Sequence, residues 1–149
     1  MKNLIGTAAL LLLAAVFCGC ASDPVRNEIP LVKGLASKAT DPNDTKVVIF
    51  NQSSMVTHGL DNSGRINVKL NGKGVGQLNI NEYVQVIVSK GPYELDLEHR
   101  DLVSFRSHHK VEFTGPESFL RINATVISHE AEVVPQLPEH FDVKFRPAP

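Results

Sequence analysis

His99, His108 and His109 fall within eleven positions of one another and form the densest group of metal-ligating side chains in the sequence. Imidazoles hold zinc or copper when two or more converge, commonly with a carboxylate beside them. His99 and His109 could converge if the strands that carry them pair. Adjacent residues of a strand point to opposite faces, so His108 and His109 cannot serve one site without a bulge. The expectation is a structural, partly exposed role for these rings, with His99 and His109 the candidate pair if a metal is bound and with no cofactor required. Glu94, Asp96 and Glu98 recur at spacing two. Carboxylates can bind calcium or share acid and base work, but on one strand they project in parallel instead of around a point. They are read as a solvated face, paired across the sheet with Lys or Arg.

Other catalytic chemistry is poorly supplied. There is no Gly-x-Ser-x-Gly elbow, and Ser53 and Ser54 are read as loop residues. The glycines of Asn71-Gly72-Lys73-Gly74-Val75-Gly76 precede no helix, so they are hairpin glycines and not a phosphate loop. No catalytic residue is assigned.

The elements that would position these residues are strands. Val47-Val48-Ile49-Phe50 is apolar on both parities, which predicts a strand near the middle of the fold. Ile66, Val68 and Leu70 alternate with Asn67 and Lys69, and Asn71-Gly72 supplies the residues a type I′ turn demands, with a return strand from about Val75. Met55 and the residues up to Gly64 read as a loop. Val84, Val86 and Val88 form one inward row, and Tyr93, Leu95 and Leu97 another. Val103, Phe105, Val111 and Phe113 share a parity, and Leu120, Ile122, Ala124 and Val126 form the next row. Phe141, Val143 and Phe145 suggest a last edge strand. The predicted fold is all-β, a small antiparallel β-sandwich of seven to nine strands over residues 46–146.

The start of the chain has a different character. Lys2 is followed by an apolar run from Leu4 to Phe17, the length of a signal-peptide core and too short for a span of about 20 residues. Phe17-Cys18-Gly19-Cys20-Ala21-Ser22 then resembles the lipobox at which bacterial lipoproteins are lipidated and cut. Residues 1–19 are expected to be the leader and Cys20 the lipidated residue. Both cysteines are then consumed, so no disulfide can form in the mature chain. Ala21, not an acidic residue, follows Cys20; under the lipoprotein sorting rule this favours the periplasmic face of the outer membrane. Residues 20–45, broken by Pro24, Pro30 and Pro42, read as the lipidated cysteine and a flexible tether, within which Leu31 to Leu35 could pack.

With Lys2 gone, 14 basic residues face 16 acidic ones, and the chain has no Trp and two Tyr. That balance argues against a nucleic-acid partner.

Between Ile66 and Val126 the order of motifs resembles an uncharacterised bacterial lipoprotein family, domain of unknown function 2846, and more distantly the PEGA type of surface β domain. The resemblance is carried by Val68-Lys69-Leu70-Asn71-Gly72-Lys73-Gly74-Val75-Gly76-Gln77-Leu78, by Tyr83, by Val88-Ser89-Lys90-Gly91-Pro92-Tyr93-Glu94-Leu95, and by Gly115-Pro116-Glu117-Ser118-Phe119-Leu120-Arg121-Ile122. Asn71 stands where the family usually has Asp, and Lys90 where it has Pro. The resemblance implies a β-sandwich envelope module without an established activity. The expected protein is a non-catalytic lipoprotein, held to a membrane by its lipid and contacting another envelope protein. A small-ligand or metal binder using the histidine-bearing face is the alternative.

Overall fold

The computed structural model describes residues 23–54, 64–100, 104–125 and 127–149. The expected leader with Cys20, residues 55–63 of the expected loop, Val103 and Val126 lie outside the described residues. The chain forms β1 (Asp44–Asn51), β2 (Ile66–Leu70), β3 (Lys73–Leu78), β4 (Glu82–Ser89), β5 (Gly91–Arg100), β6 (Ser104–Phe113), β7 (Glu117–Ala124), β8 (His129–Val134), one helical turn α1 (Phe141–Lys144) and β9 (Arg146–Pro147). They build an all-β sandwich of a five-stranded sheet, ordered β8-β7-β1-β4-β9, and a four-stranded sheet, ordered β3-β2-β5-β6.

The apolar rows meet between the sheets: Val47, Ile49, Val84, Val86, Leu120 and Ile122 from the first face Ile66, Val68, Leu95, Leu97, Val111 and Phe113 from the second. β1 lies at the centre of its sheet and is buried on both sides, as its unbroken apolar run requires. Its second face carries Val48 and Phe50, which pack with Tyr83, Phe141 and Phe145 in a smaller cluster. The five-stranded sheet is mixed, not purely antiparallel as expected, because β1 pairs with β7, and β4 with β9, in parallel; the four-stranded sheet is antiparallel throughout. The Asn71-Gly72 turn has positive φ at both residues, 48° and 75°, and the return strand starts at Lys73. Its register slips opposite Val68 and Lys69, leaving Val75 as the extra residue of a bulge.

The expected edge strand at Phe141, Val143 and Phe145 is a helical turn instead. His140, with φ 58°, turns the chain, and a spacing of four then sets Phe141 and Phe145 on one side against Phe50 while Val143 is 81% exposed. A spacing of two fits a strand only if Val143 is to be buried somewhere. β8 was not anticipated as a strand of its own.

The segment read as a flexible tether is a strap fastened to the sandwich, and the folded unit begins well before residue 46. At its start Asn67, on the outer face of the four-stranded sheet, binds it twice: Nδ2 donates to Asp23 O at 3.0 Å, and Oδ1 accepts from Val25 N at 3.2 Å. The strap then passes over β3 so closely that a Cβ on Gly74 would lie 2.1 Å from Arg26 O, and one on Gly76 2.7 Å from Asn27 Oδ1. Glu28 N and Ile29 N both donate to Gly74 O, and Glu28 Oε2 accepts from Gly74 N. Ile29 and Leu31 pack against the core, Leu31 bridges to Val86, and Val32 N donates to Gln85 O. Buried Lys46 ends the crossing, donating from Nζ to Leu35 O at 2.6 Å and pairing with Glu117. The strap thus covers the edge of β3 and half the outer edge of β4. β9 covers the other half, held by Arg146 against the buried Glu82 carboxylate at 3.1 Å and by Ala148 N donating to Tyr83 O. Both edges are thereby closed to strand pairing.

Candidate functional site

The open side of the sandwich, where edge strands β6 and β8 come together, holds a chain of polar side chains facing the interior. Leu95, Leu97 and His99 share the inner face of β5, and across the register Phe105, Ser107 and His109 share that of β6. His129 begins β8 because Thr125 and Ser128 close the preceding turn, Thr125 N donating to Ser128 O and Ser128 N to Thr125 Oγ1. Its imidazole crosses to the opposite sheet. His99 Nδ1 lies 2.8 Å from His129 Nε2, His129 Nδ1 lies 2.8 Å from Ser107 Oγ, and Ser107 Oγ lies 2.9 Å from His109 Nε2. His99 and His129 are almost fully buried, and His99 stacks on Phe105 with ring centroids 5.1 Å apart.

Each of the three links holds one hydrogen, and the Ser107 hydroxyl can accept from one imidazole while donating to the other. If His109 Nε2 donates to Ser107, Ser107 donates to His129 and His129 to His99; the reversed set is equally self-consistent. Partial burial lowers the His109 pKa from its ordinary value, and neighbouring His108 adds to the shift. Two of these hydrogen bonds, each worth about 0.5–1.5 kcal/mol net, tie β8 across to β5 and β6, and the third holds Ser107 to His109 within β6.

His99 and His109 therefore share a face, as pairing of their strands requires, but they do not converge. Register sets His99 opposite Phe105 and His109 opposite Leu95. His129 and Ser107 stand between them. A zinc ion with Zn–N of about 2.0–2.1 Å would hold ligating nitrogens roughly 3.3 Å apart, whereas these meet at hydrogen-bond distance. Among the described residues no group of three or more His, Cys, Asp or Glu side chains is arranged to hold a metal ion. Sequence reading missed His129, which lies thirty residues from His99 and on the other sheet. The one available signal was a histidine at the inward parity of a short strand.

His108 points outward, as alternation demands, and pairs with Asp96 on the outer face of the four-stranded sheet. There the carboxylates of β5 meet a row of basic residues on β6: Glu94 lies opposite Lys110, Asp96 opposite His108, and Glu98 opposite Arg106, with Arg106 NH2 3.1 Å from Glu98 Oε1. The acidic row is a solvated, cross-paired face. It borders a shallow depression of about 190 Å³ whose rim includes Asn67, Lys69, Asp96, Glu98, Arg106 and His108.

No family model, curated protein or solved structure matches this chain. Its function is therefore argued from its own residues. Among those described, no helix is long and apolar enough to cross a membrane. Cys20 lies outside them, and the described chain begins with the strap at Asp23.

Proposed function

We propose that this is a non-catalytic envelope lipoprotein, lipidated at Cys20, attached to the periplasmic face of the outer membrane, and using its β-sandwich to contact another envelope protein or to give structural support. The observation that carries the reading is the leader: an apolar run of signal-peptide length ending in Gly19-Cys20-Ala21-Ser22. The resemblance of residues 66–126 to a lipoprotein family supports it. So does the state of the polar side chains that could have done chemistry: the acidic row is cross-paired and the histidines are hydrogen-bonded into a clasp. Crosslinking in intact envelopes followed by capture of the tagged protein tests the contact function. One partner enriched well above the abundant envelope proteins is the expected result; recovery of those proteins alone contradicts it.

A second reading, a small-ligand or metal binder, is favoured by one observation, the buried approach of His99 to His129 with Ser107 and His109 beside them. Zinc or copper binding would have to break those hydrogen bonds. Titration calorimetry with zinc is expected to give no binding heat at neutral pH. Micromolar binding that disappears in both His99→Ala and His129→Ala would establish the second reading instead.

A further inference from the structure

The strap fixes where a lipid on Cys20 would sit relative to the sandwich. Asp23 is already fastened to Asn67, so only Ala21 and Ser22 separate the anchor from the folded unit. At no more than about 3.6 Å per residue, three Cα steps reach roughly 11 Å. Asn67 alternates with inward-facing Ile66 and Val68, which places the fastening on the outer face of the four-stranded sheet. A sandwich held this closely by one corner of one face cannot stand off the bilayer.

We propose that the outer face of the β3-β2-β5-β6 sheet is a membrane-docking surface, seated on the phospholipid headgroup layer around the anchor. This inference rests on the lipidation of Cys20. The depression that starts at Asn67 continues across this face and mixes both signs of charge, Lys69 and Arg106 with Asp96 and Glu98, beside the imidazole of His108. Such a row complements zwitterionic headgroups, whose phosphate meets the cations and whose ammonium meets the carboxylates. The existing pairs lie at the surface, the Arg106 side chain 70% and that of His108 80% accessible over the partly buried carboxylates of Glu98 and Asp96. Pairs of that kind contribute little, so exchanging them for headgroup partners costs little. The opposite face of the molecule lies at least the sheet separation of about 10 Å farther away, with α1 layered on top of it.

The mature chain has no thiol besides the lipidated one, so single cysteines can be labelled selectively. His108→Cys and Lys110→Cys report on the proposed docking face, and Val143→Cys on the opposite one. Each full-length lipidated variant, carrying an environment-sensitive fluorophore, is reconstituted into phosphatidylethanolamine–phosphatidylglycerol vesicles containing a headgroup-attached quencher. Quenching several-fold stronger at positions 108 and 110 than at 143 is expected. A Gly-Ser insertion of twelve residues between Ser22 and Asp23 should abolish that difference. Equal quenching in protein that floats with the vesicles overturns the docking face alone, and a difference that survives the insertion overturns the claim that the short reach sets it. Protein that does not float overturns the anchor itself. Shielding of 108 and 110 in native envelopes but not in vesicles overturns the proposal by assigning the face to a protein partner.

Discussion

Phe50→Ala is expected to cost about 3–5 kcal/mol of folding free energy, the usual range for removing a buried aromatic from a close-packed site. Phe50 is fully buried and stands edge-on to two rings, with centroids 5.5 Å from Phe141 and 5.3 Å from Phe145. Those two stack on each other at 4.6 Å, and Phe141 also leans on Tyr83 at 5.1 Å. Loss of Phe50 empties the hub against which the C-terminal turn is built, so α1 and β9 should loosen with it. For a domain of this size the melting temperature would fall by roughly 10–20 °C. Val143→Ala, a similar truncation on the exposed side of the same turn, should stay within about 0.5 kcal/mol of the parent. Urea titrations of both variants check the pair; a Phe50→Ala cost below 1 kcal/mol would mean that this cluster is not a core.

Gly74→Ala is expected to unseat the strap. The added methyl carbon would fall 2.1 Å from Arg26 O and 2.5 Å from Val25 Cγ1, and the first of these is backbone that cannot rotate away. Overpacking of this kind costs about 1–3 kcal/mol, and relief comes most cheaply by releasing residues 25–29 from β3. Release would expose Arg26 to trypsin and raise the rate of cleavage there by roughly tenfold for each 1.4 kcal/mol of weakened docking. Gly72→Ala separates contact from turn strain. Gly72, unlike Gly74, has positive φ, 75°, and nothing lies within 4 Å of its Cβ position. That variant should lose about 1–2 kcal/mol to the left-handed backbone and leave the strap protected. Equal trypsin sensitivity in Gly72→Ala and Gly74→Ala would refute the close crossing.

The sandwich was legible because burial imposes a period of two. Val47 to Phe50 announced a strand covered on both faces, and Asn71-Gly72 announced the hairpin. Leu95 and Leu97 announced the row that His99 continues. What stayed hidden depended on distant partners. Residues 23–35 have the proline-broken, polar composition of a linker, and nothing local reveals that Asn67, Gly74 and Lys46 receive them. The missing side chains of Gly74 and Gly76 were the trace of that crossing, and turn chemistry alone was an adequate explanation for them. Phe141, Val143 and Phe145 fit a strand by spacing two and a helical turn by spacing four. The choice was made by Phe50, some ninety residues earlier. For the candidate site, convergence of His99 and His109 was made conditional on their strands pairing; β5 and β6 do pair, but register separates the two rings, and the partner that joins them comes from the other sheet.

The account as a whole depends on the sulfur of Cys20 carrying the lipid. Mass spectrometry of the N-terminal peptide from membrane-purified protein measures this directly. The predicted species begins at Cys20 and is heavier than the bare peptide by a thioether-linked diacylglyceryl group, while Cys20→Ala should yield no lipidated species. A mature N-terminus that leaves Cys20 unmodified, or that lies elsewhere in the chain, would contradict it.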